Sequence, residues 1–129
     1  MKHQVFGVDA LITEAELLAV LTAVANPIRL RIVAELTDGR IHVSELARRL
    51  GISRPLLYMH LDRLEKAGLI VGQLELSEDG KAMKYFALAP FELTLTASVI
   101  TETVRASGAH PNGDIDPDKQ EHVMKESDR

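Results

Sequence analysis

The sequence predicts a mainly α fold with one small β-hairpin, an α+β domain of five helices. Three features carry that expectation. Apolar residues recur at helical spacing in several separate stretches. Two of these, running from Ser44 to Leu50 and from Arg54 to Leu64, are joined only by Gly51, Ile52 and Ser53. Soon after them, two segments rich in apolar residues flank Ser77-Glu78-Asp79-Gly80, which is turn chemistry.

Taken in order, Met1 to Ile12 has no clear period and is expected to form an arm ahead of the first helix. Thr13-Glu14-Ala15-Glu16 is a capping box, with Thr13 as cap and Glu16 reaching back to it. The helix it opens runs to about Ala25 and carries Ala15, Leu17, Leu18, Ala19, Val20, Leu21, Ala23 and Val24. It is apolar nearly all round, more than a small domain covers on one side. The surplus face is expected to meet a second copy of the chain, the alternative being a helix wrapped centrally in its own monomer. Asn26-Pro27 starts the second helix, Asn as cap and Pro at the first position. Ile28, Leu30, Ile32, Val33 and Leu36 are expected to be its buried side, with Arg29 and Arg31 pointing outward. Asp38-Gly39 stops it, and Arg40-Ile41-His42 has room only for a short extended piece.

Leu46 and Leu50 then share one side of a third helix, with the small Ala47 between them allowing a close crossing. Gly51 supplies the left-handed backbone that ends it. Ser53 caps the fourth helix, and Pro55 is tolerated because first-turn N–H groups have no helical partner. Leu57, His60, Leu61 and Leu64 make that helix's apolar stripe. This is a helix-turn-helix, whose second helix fits the major groove of DNA. After Gly68, Leu69 to Leu76 reads as a strand with Ile70, Leu74 and Leu76 on one parity. Lys84 to Leu88 is its return, with Phe86 and Leu88 on the inner face. A hairpin directly after a helix-turn-helix makes a winged helix, with the wing tip around Asp79 to Lys84. Pro90 is expected to open the last helix, striped by Leu93, Ala97, Ile100 and Val104 and by Phe91, Leu95 and Val99. Paired with the first helix, it is expected to form a homodimer interface. The expected organisation is thus an arm (1–12), a winged-helix DNA-binding and dimerisation domain (13–107), and an acidic, disordered tail (108–129).

The totals agree with such a domain. The chain has 129 residues, no Cys and a net charge of −4. Without Cys there are no disulfides, Cys-based zinc sites or thiol chemistry. No apolar run reaches the length of a membrane span and no signal peptide is read, so a cytoplasmic protein without a membrane partner is expected. Residues 40–89 carry eight Lys/Arg against six Asp/Glu, and residues 108–129 carry three against six. The basic excess coincides with the helix-turn-helix, but at +2 it implies only modest non-specific affinity for DNA. No Gly-rich phosphate loop, Ser-His-acid set or His-Glu-x-x-His motif occurs, which argues against an enzyme.

Several stretches together resemble the ArsR-type winged-helix transcriptional regulators, from about Ala23 to Ser107. They are Ala25-Asn26-Pro27-Ile28-Arg29-Leu30-Arg31-Ile32, Val43-Ser44-Glu45-Leu46-Ala47, Ile52-Ser53-Arg54-Pro55-Leu56-Leu57-Tyr58-Met59-His60-Leu61 and Ala67-Gly68-Leu69-Ile70. The resemblance implies a homodimer, built from the terminal helices, that binds an operator and usually represses. Metal-sensing members often carry Cys-x-Cys entering the first helix of the helix-turn-helix. The matching positions here are His42 and Ser44, and Ser is a poor ligand for soft metals. A second family site pairs acids with His along the last helix, whereas Phe91 to Ala106 holds no His and no Asp. No metal or cofactor is therefore carried over. Control then falls to an unidentified small apolar effector at the dimer interface, or to none.

The residues expected to meet double-stranded DNA are Ser53, Arg54, Pro55, Tyr58, Met59, Arg63, Arg48, Arg49, Lys81 and Lys84. Arg54 begins the reading helix, where a guanidinium can bridge guanine O6 and N7 for about 1–3 kcal/mol of discrimination; otherwise it is a solvated first-turn Arg. Tyr58 and Met59 lie opposite Leu57 and Leu61, toward the groove, unless Tyr58 packs on the hairpin. Arg48, Arg49 and Arg63 suit phosphates, which position without specifying. Lys81 and Lys84 suit phosphate or minor groove, although Glu78 and Asp79 beside them oppose deep insertion. His60 is expected to pack or to bond phosphate. His110, Asp114, Asp116, Asp118 and His122 could supply metal ligands but are expected to stay bare. The leading function is a sequence-specific homodimeric regulator, a repressor on a near-palindromic operator. The alternative is a winged-helix module that binds protein and not DNA.

Overall fold

Side-chain caps supplied by the sequence start all five helices among the described residues, which in the computed structural model are 4–6 and 12–108. Thr13 accepts from the Glu16 N–H at 3.0 Å and starts α1 (Glu14–Val24), with Glu16 returning the bond as a capping box. Asn26 accepts from Ile28 and Arg29 at the head of α2 (Pro27–Leu36). The His42 ring does the same for α3 (Val43–Leu50), Ser53 for α4 (Arg54–Lys66) and Thr96 for α5 (Ala97–Ala106). Caps of the Ser, Thr and Asn kind each stabilise a helix by about 1 kcal/mol and fix where it begins.

The strands are β1 (Gln4–Phe6), β2 (Ile41–His42), β3 (Ile70–Leu76), β4 (Ala82–Leu88) and β5 (Phe91–Leu93). β3 and β4 form an antiparallel hairpin, and β2 pairs with β4 on its other edge, Ile41 opposite Phe86. The hairpin turns through Ser77–Lys81, where Gly80 has φ +85° and the Ser77 N–H donates to the Lys81 carbonyl. Ile32, Leu36, Val43, Leu46, Leu57, Leu61, Leu64, Leu69 and Ile70 are almost fully buried between α1–α4 and the base of the hairpin, with Phe86 beside them. Each buried leucine contributes about 1.5–3 kcal/mol. The winged helix-turn-helix with five helices is therefore the observed architecture.

Three expectations need correction. The last helix does not begin at Pro90. Phe91–Leu93 instead form β5, pairing in parallel with β1, and the helix waits for the Thr96 cap. Residues 4–6 of the expected arm thus join the domain as a strand. Of the expected apolar stripes, Val99 is buried, while Leu95, Ile100 and Val104 are exposed. Second, α2 is rotated from the expected face: Arg29 is buried and Leu30 is 57 % exposed. Helical period explains it, since Arg29, Ile32 and Leu36 lie at i, i+3 and i+7 on one face. Third, Leu74 and Leu76 share the parity of buried Ile70 but are exposed, because the hairpin runs past the helices that cover its base. Residues 109–129, including the candidate metal ligands His110, Asp114, Asp116, Asp118 and His122, lie outside the described residues.

The buried Arg29 is paired. Its Nε donates to the Ala23 carbonyl at 2.6 Å, and its Nη1 lies 3.0 Å from Nδ1 of buried His60. A guanidinium has only donors, so Nδ1 must carry the lone pair and His60 must be neutral. Burial, then the charges of Arg29 and Arg63, hold its pKa below the ordinary 6.5. Between 6.5 and its folded value, the unfolded chain binds a proton that the folded chain does not, so stability falls with pH across that window. The parent is expected to lose stability from about pH 6.5 downward at up to about 1.4 kcal/mol per pH unit from this group. His60→Gln, which can still accept from Arg29, should lose less over the same range; urea unfolding of both proteins from about pH 8 to pH 5 measures the difference.

Candidate nucleic-acid interface

The helix-turn-helix is set by a tight backbone turn. Gly51 ends α3 in the left-handed region (φ +68°, ψ +35°), and its N–H and that of Ile52 both donate to the Ala47 carbonyl. A Cβ would be strained at that φ. Ser53 Oγ then accepts from the Leu56 N–H at 3.3 Å, and α4 departs in a new direction across α3. Its stripe of Leu57, His60, Leu61 and Leu64 is buried, so the opposite face must look outward. That face carries Pro55, Tyr58 and Met59, with Leu56 at its flank, and Arg54 stands exposed in the first turn at the end of the stripe.

The expected contact residues differ in their freedom. Arg54 makes no ion pair among the described residues, and neither does Lys81 at the wing turn. Arg48 and Arg49 share the Glu45 carboxylate, and Arg49 also reaches Glu35 at 3.1 Å. Those hydrogen bonds, from Arg48 and then Arg49, pull the Glu45 pKa down to about 2, so it stays charged at any working pH. Both arginines are thus partly neutralised where they stand. Tyr58 is 39 % exposed yet meets Phe86 of the hairpin edge-on, with ring centroids 6.5 Å apart. The packing reading and the exposed reading of Tyr58 both hold. Lys84 leans back over the same Phe86 ring, its ammonium 5.4 Å from the centroid, and not toward the tip. Arg63 is placed apart from the helix start, in a cleft between α1 and α4 with Arg29 and Lys66.

Two arrangements escaped the sequence reading. Arg40 spans the outer face of the wing: it donates to Gln73 and to both oxygens of Glu75, and its guanidinium stacks 4.0 Å from the Tyr85 ring centre. His42 meets Tyr85 edge-on at 5.3 Å while its Nδ1 accepts from the Ser44 N–H. The wing is therefore braced to the head of α3. Only the strand register, which brings Tyr85 opposite both His42 and Gln73, makes this visible. The same bond occupies the ring nitrogen at the position where family metal sensors carry their first Cys. No group of three or more metal-ligating side chains occurs among the described residues. No single helix among them is long and apolar enough to cross a membrane.

Comparison with known proteins agrees with this geometry. A family model described as a helix-turn-helix domain matches residues 24–73. An uncharacterised HTH-type transcriptional regulator of Methanocaldococcus jannaschii is 35 % identical over 78 residues, covering 60 % of this chain and 81 % of the relative. The HTH-type transcriptional regulator CmtR of Mycobacterium tuberculosis is 34 % identical over 84 residues, covering 65 % of this chain and 67 % of CmtR. Among solved structures, HlyU from Vibrio cholerae superposes with TM-score 0.52 at 27 % identity, covering 71 % of this chain and 88 % of HlyU. A homodimeric winged helix-turn-helix DNA-binding domain from Mycobacterium bovis shares the fold at TM-score 0.52 and 20 % identity, over 76 % of this chain and 81 % of that one. The two relatives from sequence comparison are both HTH-type transcriptional regulators. An exposed, Ser-capped α4, a braced wing and relatives of this kind lead to one conclusion: the chain belongs to the HTH-type transcriptional regulators and carries its helix-turn-helix in a winged-helix fold.

Proposed function

We propose that the chain is a homodimeric repressor that acts in the cytoplasm by occupying a near-palindromic operator. The observation that carries the reading is the exposed side of α4, with Arg54 at its first turn lacking an ion-pair partner among the described residues and Tyr58 and Met59 behind it. Arg54 reads a base edge, Ser53 and the residues beside Pro55 seat the helix on phosphate, and Lys81 reaches the backbone from the wing. Arg48, Arg49, Arg63 and Lys84 supply field more than contact. Residues 13–107, together with the β1 strand, form the DNA-binding and dimerisation unit. Two copies would pair through α1 and α5, whose outer faces leave Leu18, Ile100 and Val104 exposed, with Leu95 exposed just ahead of α5. Their reading helices would then lie about one helical turn, 34–36 Å, apart.

A second reading has one observation in its favour. Leu74 and Leu76 stand 66 % and 74 % exposed on the wing, a surface suited to a protein partner. Random duplex DNA at about 50 mM salt separates the two, since a winged helix that reads DNA should bind it and a protein-only module should not.

Arg54→Ala is expected to lose about tenfold or more in operator affinity, the worth of one bidentate base contact, with little change on random duplex. A gel-shift series on both DNAs measures it, and equal losses on both would reduce Arg54 to a phosphate contact. Glu45→Gln removes the carboxylate that holds Arg48 and Arg49. It should tighten non-specific binding at low salt and steepen the log–log salt slope by about one. Ile100→Glu places a charge on the proposed dimer face and should give a folded monomer by sedimentation, with operator binding weakened more than tenfold, roughly, because half-sites then bind singly.

A further inference from the structure

Between α1 and α4 lies an open cleft of about 420 Å³, the size range of small-ligand sites. One wall is α1, with Ala15, Leu18 and Ala19 among its residues, and the lining includes three cations: Arg29, Arg63 and Lys66. Lys66 is answered by Asp62 at 3.1 Å, while Arg63 has no carboxylate partner among the described residues. Arg29 is 93 % enclosed (7 % exposed), with Nε and Nη1 engaged by Ala23 and His60. Its Nη2 makes no hydrogen bond among the described residues. Arg29 lines the cleft, so the little of it that stays exposed borders this opening. An enclosed guanidinium bordering the opening, beside a second guanidinium with no carboxylate partner among the described residues and an apolar wall, suits a carboxylate with a hydrocarbon body. The depression of the His60 pKa, caused by burial and then by Arg29 and Arg63, agrees with a positive field at this place.

We propose that this cleft binds a small organic anion, its carboxylate held by Arg29 and Arg63 and its apolar body laid along Ala15 and Ala19. The ligand would touch the helix proposed for dimerisation and the reading helix at once. It would therefore shift operator affinity by changing how α4 is carried relative to α1. That consequence rests on the regulator reading; the binding itself does not.

The test is a titration of the isotope-labelled full chain with hexanoate, followed by amide chemical shifts in the absence of DNA, with neutral hexanamide as control. Expected are saturable shifts concentrated in α1 and the second half of α4, with about tenfold weaker binding of hexanamide. Arg63→Gln should weaken hexanoate about fivefold or more, and Ala19→Phe, which fills the cleft, should abolish its binding. Should Ala19→Phe fail to fold, Arg63→Gln, at an exposed helix position, decides alone. Absence of saturation by about 20 mM hexanoate, equal binding of the amide, or indifference to Arg63→Gln would overturn the proposal. If Ala19→Phe turns a dimer into a monomer while hexanoate binds neither form, the cleft is the seat of a second copy and the proposal also fails. Operator binding, measured separately by gel shift, keeps the two readings distinguishable: hexanoate binding without operator binding sinks the regulator reading, and the reverse sinks this one.

Discussion

The structure depends on α4 being held tightly on one face and left bare on the other. Leu57, Leu61 and Leu64 are almost completely buried, and they fix the helix by apolar burial, which has no directional preference. Rotation about the axis needs something directional. The Arg29–His60 bond provides it, because a buried guanidinium and an imidazole tolerate little change of geometry before both lose their partners. Arg29 also holds the Ala23 carbonyl at the end of α1. One side chain of α2 thus joins the first helix to the reading helix through the core.

The wing is held by different means. Its base is buried through Ile70 and Phe86, but beyond Gly72 it leaves the core behind. Arg40 then takes over on the outer face with Glu75, Gln73 and Tyr85, and on the inner face Phe86 lies against Tyr58 of α4. These contacts are exposed or half-exposed and are screened by salt more than a core contact would be. The wing is accordingly held less by core burial than α4 is.

Electrostatics follows the same division of labour. The chain as a whole is acidic, with a net charge of −4. Where arginines cluster on α3, Glu45 and Glu35 answer them. Among the described residues, the cations without a carboxylate partner include Arg54 at the head of α4, Lys81 at the wing turn and Arg63 in the α1–α4 cleft, besides Arg31, Lys84 and Arg105.

Much of this was legible from local chemistry. The caps at Thr13, Asn26 and Ser53, the Gly51 turn, the stripe on α4 and the hairpin turn at Ser77–Gly80 each depend on residues within a few positions of one another, and all stand where the sequence predicts them. The inward turn of Arg29 was present in the helical period but contradicted by its charge; a distant His60 and the end of α1 make its burial tolerable. The strand at Phe91–Leu93 needs β1, more than eighty residues earlier, to satisfy its backbone. The Arg40 brace needs the register of three strands. The first four helices, their starts and the hairpin were thus determined by short-range hydrogen bonding and periodicity, which the sequence alone contains. Which polar side chain is buried, which apolar one stays bare, and where the cleft opens were decided by the packing of residues far apart in the chain, because burial is a property of the assembled surface and not of any segment.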